Sequence, residues 1–363
     1  MHSSARPVHG GIRPAQLRAL GLDPGDVVDF SASVSPLGPP AGLWEALQQV
    51  DLTAYPDPEC LELREALANY HHTNIDRILV GNGSTELIHL LARAFISPSD
   101  RGGSGSCLLL TPTYGEYAGA CRLGGSEILE VVARREAGFA WDLPEAEALI
   151  LSKRPALVFA CNPNNPTGVY LQEEEVYGLA QAATKANSIL VLDEAYLNFV
   201  EERWDALSLL EGETAQNVVL LRSMTKDFAL TSLRLGYCLA SPEVTASLAA
   251  LQPDWSVNGL AQAAGLVAMA DGDYLPAARK AIHDAKAYLT REFTGLGLQV
   301  LPSAANFLLI SVGDASSWGD RLMQQGIFVR DCTSFGLPDC IRVGIRAMPD
   351  CRRLVAAAKG LTE

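Results

Sequence analysis

Val218-Val219-Leu220-Leu221-Arg222-Ser223-Met224-Thr225-Lys226 is an apolar run that ends at a small hydroxyl residue and delivers a lysine three positions later. Four aliphatic residues bounded by polar ones read as a strand buried on both faces, the kind found in parallel sheets. The same punctuation recurs along the chain. Ile78-Leu79-Val80 leads into Gly81-Asn82-Gly83-Ser84-Thr85, and Cys107-Leu108-Leu109-Leu110 into Thr111-Pro112-Thr113-Tyr114. Leu157-Val158-Phe159-Ala160 leads into Asn162-Pro163-Asn164-Asn165-Pro166-Thr167-Gly168, and Ile189-Leu190-Val191-Leu192 into Asp193-Glu194-Ala195-Tyr196. Helical stretches such as 86–95 separate these runs. The pattern predicts an α/β fold with a mostly parallel sheet, and it sets nearly every polar motif just past the carboxyl end of a strand, where open α/β sheets bind ligands.

The flanks differ from this repeat. Residues 1–40 are rich in glycine and proline and suit an arm laid over another surface. Residues 41–271 form the expected large domain, opening with helices at 43–50 and 61–71 on either side of the turn Tyr55-Pro56-Asp57-Pro58. From 272 to 363, a long helix at 275–296 and apolar runs at 299–301, 307–310 and 340–345 predict a smaller α+β domain. Arg101 to Ser106 reads as a glycine- and serine-rich loop.

Composition narrows the function. With 48% hydrophobic and 19% charged residues in 363, the chain has ample core for more than one domain. A formal net charge of -14 argues against nucleic acid or an anionic membrane as a general partner, and leaves room for a small anion held by local arginines. Eight dispersed cysteines, with no Cys-x-x-Cys pair, suggest reduced, buried thiols in a cytoplasmic protein rather than a metal site or disulfide framework. Met1 to Gly11 lacks the apolar core of a leader peptide, and no apolar run approaches the roughly 20 residues of a membrane helix, so a soluble protein is expected.

Each polar motif has a chemical and a plain structural use. Lys226 suits Schiff-base chemistry, because burial beside cations frees an amine nucleophile; a surface lysine after a strand is the commoner case. Ser223, Thr225 and Arg234 offer two hydroxyls and a rigid fork to a phosphate. Gly83-Ser84-Thr85 opens a helix and forms either a phosphate seat or an ordinary cap. Asp193 is placed to pair with a protonated ring nitrogen, or to cap a turn. Asn165 and Tyr196 could reach a ring oxygen, and Tyr114 could lie against an aromatic ring; an Asx-turn and core packing are the alternatives. Arg342 and Arg346 alternate with apolar residues, so period two places both on one face of a strand, fit for a substrate with two anionic groups or for a solvated edge.

Taken together and in this order, these residues resemble the fold type I pyridoxal 5'-phosphate enzymes of the aminotransferase class I/II family. The resemblance spans nearly the whole chain. It implies Lys226 as the cofactor's Schiff-base lysine, Asp193 as partner of its pyridine nitrogen, Asn165 and Tyr196 as partners of its ring oxygen, and Tyr114 as the stacking residue. It implies Ser84, Thr85, Ser223 and Arg234 as the phosphate cradle and Arg342 as the substrate carboxylate's partner. It further implies a homodimer with shared sites, in which Tyr55 reaches the neighbouring cofactor. Two branches of the family lie close, histidinol-phosphate aminotransferases and the L-threonine O-3-phosphate decarboxylases of cobalamin biosynthesis. His9-Gly10-Gly11, Asp29-Phe30-Ser31-Ala32, Trp255-Ser256-Val257-Asn258 and Ala305-Asn306-Phe307 are similar to the decarboxylases, which makes His9 and Ser33 expected substrate contacts. Ile12 and Ser35 stand where that branch carries asparagines. The resemblance thus points to decarboxylation of L-threonine O-3-phosphate, with transamination of an amino phosphate as the alternative.

Overall fold

The apolar runs become the centre of a seven-stranded sheet. The structure is a computed structural model and describes residues 8–96 and 104–362. Its strands are β1 (Val28–Asp29), β2 (Ile78–Asn82), β3 (Ser104–Thr111), β4 (Glu127–Val132), β5 (Pro155–Cys161), β6 (Ile189–Asp193), β7 (Val218–Ser223), β8 (Leu235–Leu239), β9 (Gln299–Val300), β10 (Phe307–Ser311), β11 (Ile327–Phe328), β12 (Arg330–Asp331) and β13 (Cys340–Gly344). The large sheet runs β2-β8-β7-β6-β5-β3-β4.

Alternation explains why the central strands are apolar throughout. Leu190, Leu192, Val218 and Leu220 enter the core on one face of the sheet, while Val191, Val219 and Leu221 enter a second core on the other. Both faces are covered by helices, so neither set of side chains can be polar. The parallel ladder holds from β4 through β3, β5 and β6 to β7. One strand departs from it: β8 is antiparallel to both β7 and β2. A buried strand carries the same pattern in either direction.

The smaller sheet is antiparallel, in the order β12-β13-β10-β9. Against it packs the helix Tyr274–Gly295, whose Ile282, Ala285, Leu289 and Phe293 repeat at helical spacing and enter one core. The N-terminal arm is more structured than its composition suggests. It holds a helix over Pro14–Leu20, and β1 pairs in parallel with β11. Phe30 is fully buried in the small-sheet core, a burial worth roughly 2–3 kcal/mol. The Phe30 N–H donates to Phe328 O, and its carbonyl accepts from Gly344 N, both at 2.7 Å. These ties deliver residues 31–35 to the segment just past β7, where Ser35 N donates to Lys226 O at 3.0 Å.

Other boundaries moved. The helix expected from Glu86 begins at Gly83. The last strand ends at Gly344, so Arg346 lies beyond it. Of the expected 101–106 loop, residues 101–103 lie outside the described residues, and Ser104 already opens β3; the first seven residues of the expected arm also lie outside. All eight cysteines are buried as free thiols. No helix among the described residues is long and apolar enough to cross a membrane.

Candidate active site

The carboxyl ends of β5, β6 and β7 open into a cavity of about 720 Å³. Lys226 enters it from a one-turn helix, Met224–Asp227, directly after β7. Its amine is brought from an ordinary 10.5 to about 8, first by burial and then by the guanidiniums of Arg342 and Arg234, with Asp193 pulling the other way. An amine so placed is partly neutral near pH 8 and available as a nucleophile.

Asp193 ends β6 and is almost wholly buried. Burial raises its carboxyl above the usual range, against hydrogen bonds from Tyr117 and the Ala195 N–H. The Tyr117 hydroxyl donates to Asp193 Oδ2 at 2.6 Å and Ala195 N to Oδ1 at 3.1 Å. The Tyr117 ring stacks on Phe159 with centroids 4.7 Å apart, which fixes the hydroxyl's aim. Tyr196 stands edge-on to Phe307, 5.1 Å between centroids.

A second group of residues forms an anion seat. Ser223 and Thr225 hydroxyls lie 2.6 Å apart, beside Ser84 and Thr85 in the first turn of the helix Gly83–Phe95. Gly83 adopts φ +73, and a Cβ there would sit 2.7 Å from Arg234 Nη2. Glycine is therefore required for the guanidinium to lie across the helix start, and Arg234 itself takes φ 61 to reach it. Two hydroxyl pairs, a helix N-terminus and a guanidinium fit a phosphate dianion. The combination of this seat, a buried amine and a buried carboxylate fits pyridoxal 5'-phosphate.

The opposite wall belongs to the smaller sheet and the N-terminal segment. Arg342 donates through Nη1 to Asn165 Oδ1 and through Nη2 to Ser31 O at 2.8 Å, with its guanidinium 5.1 Å from the Phe307 ring centroid. Its Nε makes no hydrogen bond among the described residues, and neither does the buried Ser33 Oγ beside the same cavity. Arg330 is buried, lines the cavity and donates to Val8 O at 2.7 Å and Ser334 Oγ at 2.6 Å. His9 stands 5.7 Å from the Tyr114 ring, centroid to centroid.

The structure thus gathers Lys226, Asp193, Tyr196, Asn165, Tyr114, Ser84, Thr85, Ser223, Thr225, Arg234, Arg342, Ser33 and His9 around one cavity, with Gly83 directly behind Arg234. Two expected residues do not join them. Arg346 is outside the cavity because the alternation stops with the strand, and its carbonyl instead accepts from Cys351 Sγ at 3.3 Å. Tyr55 is 80% exposed and stacked on Trp255 at 4.5 Å, away from this chain's own lining. Among the lining residues that escaped sequence reasoning are Tyr117, Arg330, Glu116 and His89. Tyr114 and Tyr117 are one helical turn apart, a spacing that could have pointed to the first of these.

Comparison with known proteins shows the family and the fold. The family described as Aminotransferase class I and II matches residues 25–359. Histidinol-phosphate aminotransferase of Symbiobacterium thermophilum is 37% identical over 347 residues, covering 94% of this chain and 92% of that one. The structure of histidinol-phosphate aminotransferase from Sinorhizobium meliloti in complex with pyridoxal-5'-phosphate superposes with a TM-score of 0.87 at 26% identity, over 100% of this chain and 98% of that one. L-threonine-O-3-phosphate decarboxylase from Porphyromonas gingivalis superposes with a TM-score of 0.77, also at 26% identity, over 92% and 98%.

Proposed function

Since the chain belongs to the aminotransferase class I and II family of pyridoxal-phosphate-dependent enzymes, we propose that it decarboxylates L-threonine O-3-phosphate to 1-amino-2-propanol O-2-phosphate. The observation that carries this reading is the seating of His9-Gly10-Gly11 on the cavity wall. A Cβ at Gly10 would lie 2.3 Å from Ser31 O, and Gly11 takes φ +104 while its N–H donates to Ser31 Oγ at 2.7 Å. Both glycines are needed to bring His9 over the site. The arm motif that resembles the decarboxylase branch is therefore part of the cavity wall.

Pyridoxal phosphate, held by Ser84, Thr85, Ser223, Thr225 and Arg234, would supply an electron sink for a bond broken at the substrate α-carbon. This chain's residues choose that bond. Arg342, held by Asn165 and Ser31, takes the carboxylate, and Arg330 with His9 takes the phosphate. Two anions gripped at fixed points orient the α-carbon between them. Lys226, its amine near pH 8 in equilibrium between charged and neutral forms, is the group that returns a proton to that carbon. Tyr117 holds Asp193 in place, and Tyr196 and Asn165 would hold the cofactor's ring oxygen. The exposed Tyr55 suits a homodimer in which it reaches the neighbouring site.

A second reading, transamination of histidinol phosphate or a similar amino phosphate, is the one that sequence similarity favours: the 37% identity to a histidinol-phosphate aminotransferase exceeds the 32% to a putative threonine-phosphate decarboxylase. The two are separated by steady-state assays on the purified enzyme. The decarboxylase reading expects turnover of L-threonine O-3-phosphate with CO2 release and no need for a 2-oxo acid. Turnover of histidinol phosphate dependent on a 2-oxo acid, with no CO2 from threonine phosphate, replaces it by the second.

A further inference from the structure

A cavity with Arg330 and Arg342 on one wall carries a carboxylate on the other. Glu116, in the first turn of the helix Gly115–Leu123, lines the site with a side chain only 13% exposed. Left bare, it would repel an anionic substrate. It is not bare: Glu116 Oε1 lies 2.6 Å from His9 Nε2 and Oε2 lies 3.3 Å from His89 Nε2. A carboxylate can only accept, so both ring nitrogens carry their proton toward Glu116. His9 comes from the arm and His89 from the helix Gly83–Phe95, so one carboxylate joins three separate segments.

We propose that Glu116 is a positioning residue for the substrate's phosphate: it latches the arm through His9, sets that ring beside Tyr114, and so closes the wall of the anion pocket beside Arg330. This rests on the reading that the substrate is phosphorylated, and it holds for either of the two reactions. Within residues 8–11 the other hydrogen bonds run from Arg330 to Val8 O and from Gly11 N to Ser31 Oγ. Asp29 in turn holds the Ser31 hydroxyl at 2.5 Å. Of the three hydrogen bonds at residues 8–11, the one from His9 to Glu116 joins two side chains. With Glu116 engaged by both histidines, its negative charge orients donors and is offset where the phosphate enters. His89 acts as a second brace that keeps the carboxylate turned toward the arm.

The test uses the holoenzyme and two readouts. Amide hydrogen exchange of the peptide containing Gly10 and Gly11 reports arm docking without any substrate. Glu116→Ala is expected to speed that exchange by about tenfold and to raise KM for the phosphorylated substrate at least about tenfold, with kcat changed far less. Affinity for the non-phosphorylated counterpart, L-threonine or histidinol, should stay as in the wild type. Glu116→Gln, which keeps one acceptor oxygen, should fall between. In a His9→Ala background, Glu116→Ala should add little, because the two act as one unit. Unchanged exchange, equal loss for phosphorylated and non-phosphorylated ligands, or additive effects of the two substitutions would each overturn the proposal. If the wild type itself shows no preference for phosphorylated ligands, the substrate reading fails, and the latch is then judged on exchange alone.

Discussion

Replacing Lys226 by methionine should make the cofactor-free protein more stable near neutral pH, by an amount that shrinks as the pH rises. In the folded chain the amine titrates at about 8 instead of 10.5, a difference worth about 3 kcal/mol. The direction follows from proton counting. Between those two values the unfolded chain holds a proton on Lys226 that the folded chain has lost, so stability rises with pH across that window. Below about pH 8 the full cost of a buried ammonium between Arg342 and Arg234 is present. Methionine keeps the apolar stem and removes the charge, so Lys226→Met adds a pH-independent packing change and cancels the pH-dependent cost. The assay is urea unfolding of both cofactor-free proteins from pH 6.5 to 9.5, taking their difference so that every other titrating group drops out. The expected gap favours the variant at pH 6.5 and closes by about 1.4 kcal/mol for each pH unit above 8. A gap that stays constant, or widens with pH, would refute the argument that Lys226 is held with a depressed pKa in the folded state.

Three further outcomes follow from the same geometry. Tyr117→Phe removes one of the two donors to Asp193 and should weaken cofactor binding about tenfold, a loss that equilibrium titration of the apoprotein would detect; unchanged affinity would mean Tyr117 is only packing. Gly10→Ala drives a methyl into Ser31 O, so KM for the phosphorylated substrate should rise by about tenfold or more while the cofactor stays bound; an unaltered KM would show that the arm does not meet the substrate. If Tyr55 serves the neighbouring subunit's site, mixing inactive Lys226→Ala and Tyr55→Ala proteins should restore activity through hybrids in which one site keeps both residues; hybrids that form and stay inactive would place Tyr55 outside the chemistry.

Much of this molecule is legible in its sequence because the central strands have a single use. β5, β6 and β7 are apolar at successive positions, and only a sheet covered on both faces makes that pattern stable. Asn165, Asp193 and Lys226 each follow such a strand within a few residues, so their convergence follows from the sheet itself. Strand direction is not encoded in that way, and β8 runs opposite to its neighbours with the same composition. Arg346 shows the limit of periodicity: two arginines four apart share a face only while the strand continues, and it stops at Gly344. Arg330 lies in a two-residue strand too short to carry a pattern. The contact of Glu116 with His9 joins residues 107 apart in the chain, and no local rule reaches that far.

In the proposed reaction the arm, Arg342 and Arg330 orient the substrate so that its carboxylate bond, not its α-hydrogen bond, is broken. The most direct test is a single turnover of the holoenzyme with L-threonine O-3-phosphate carrying carbon-13 in the carboxylate and deuterium on the α-carbon, with both labels followed by mass spectrometry. Decarboxylation releases labelled CO2 and leaves the deuterium on the α-carbon of the product. Deuterium lost to solvent while the labelled carboxylate stays in an oxo-acid product would contradict it.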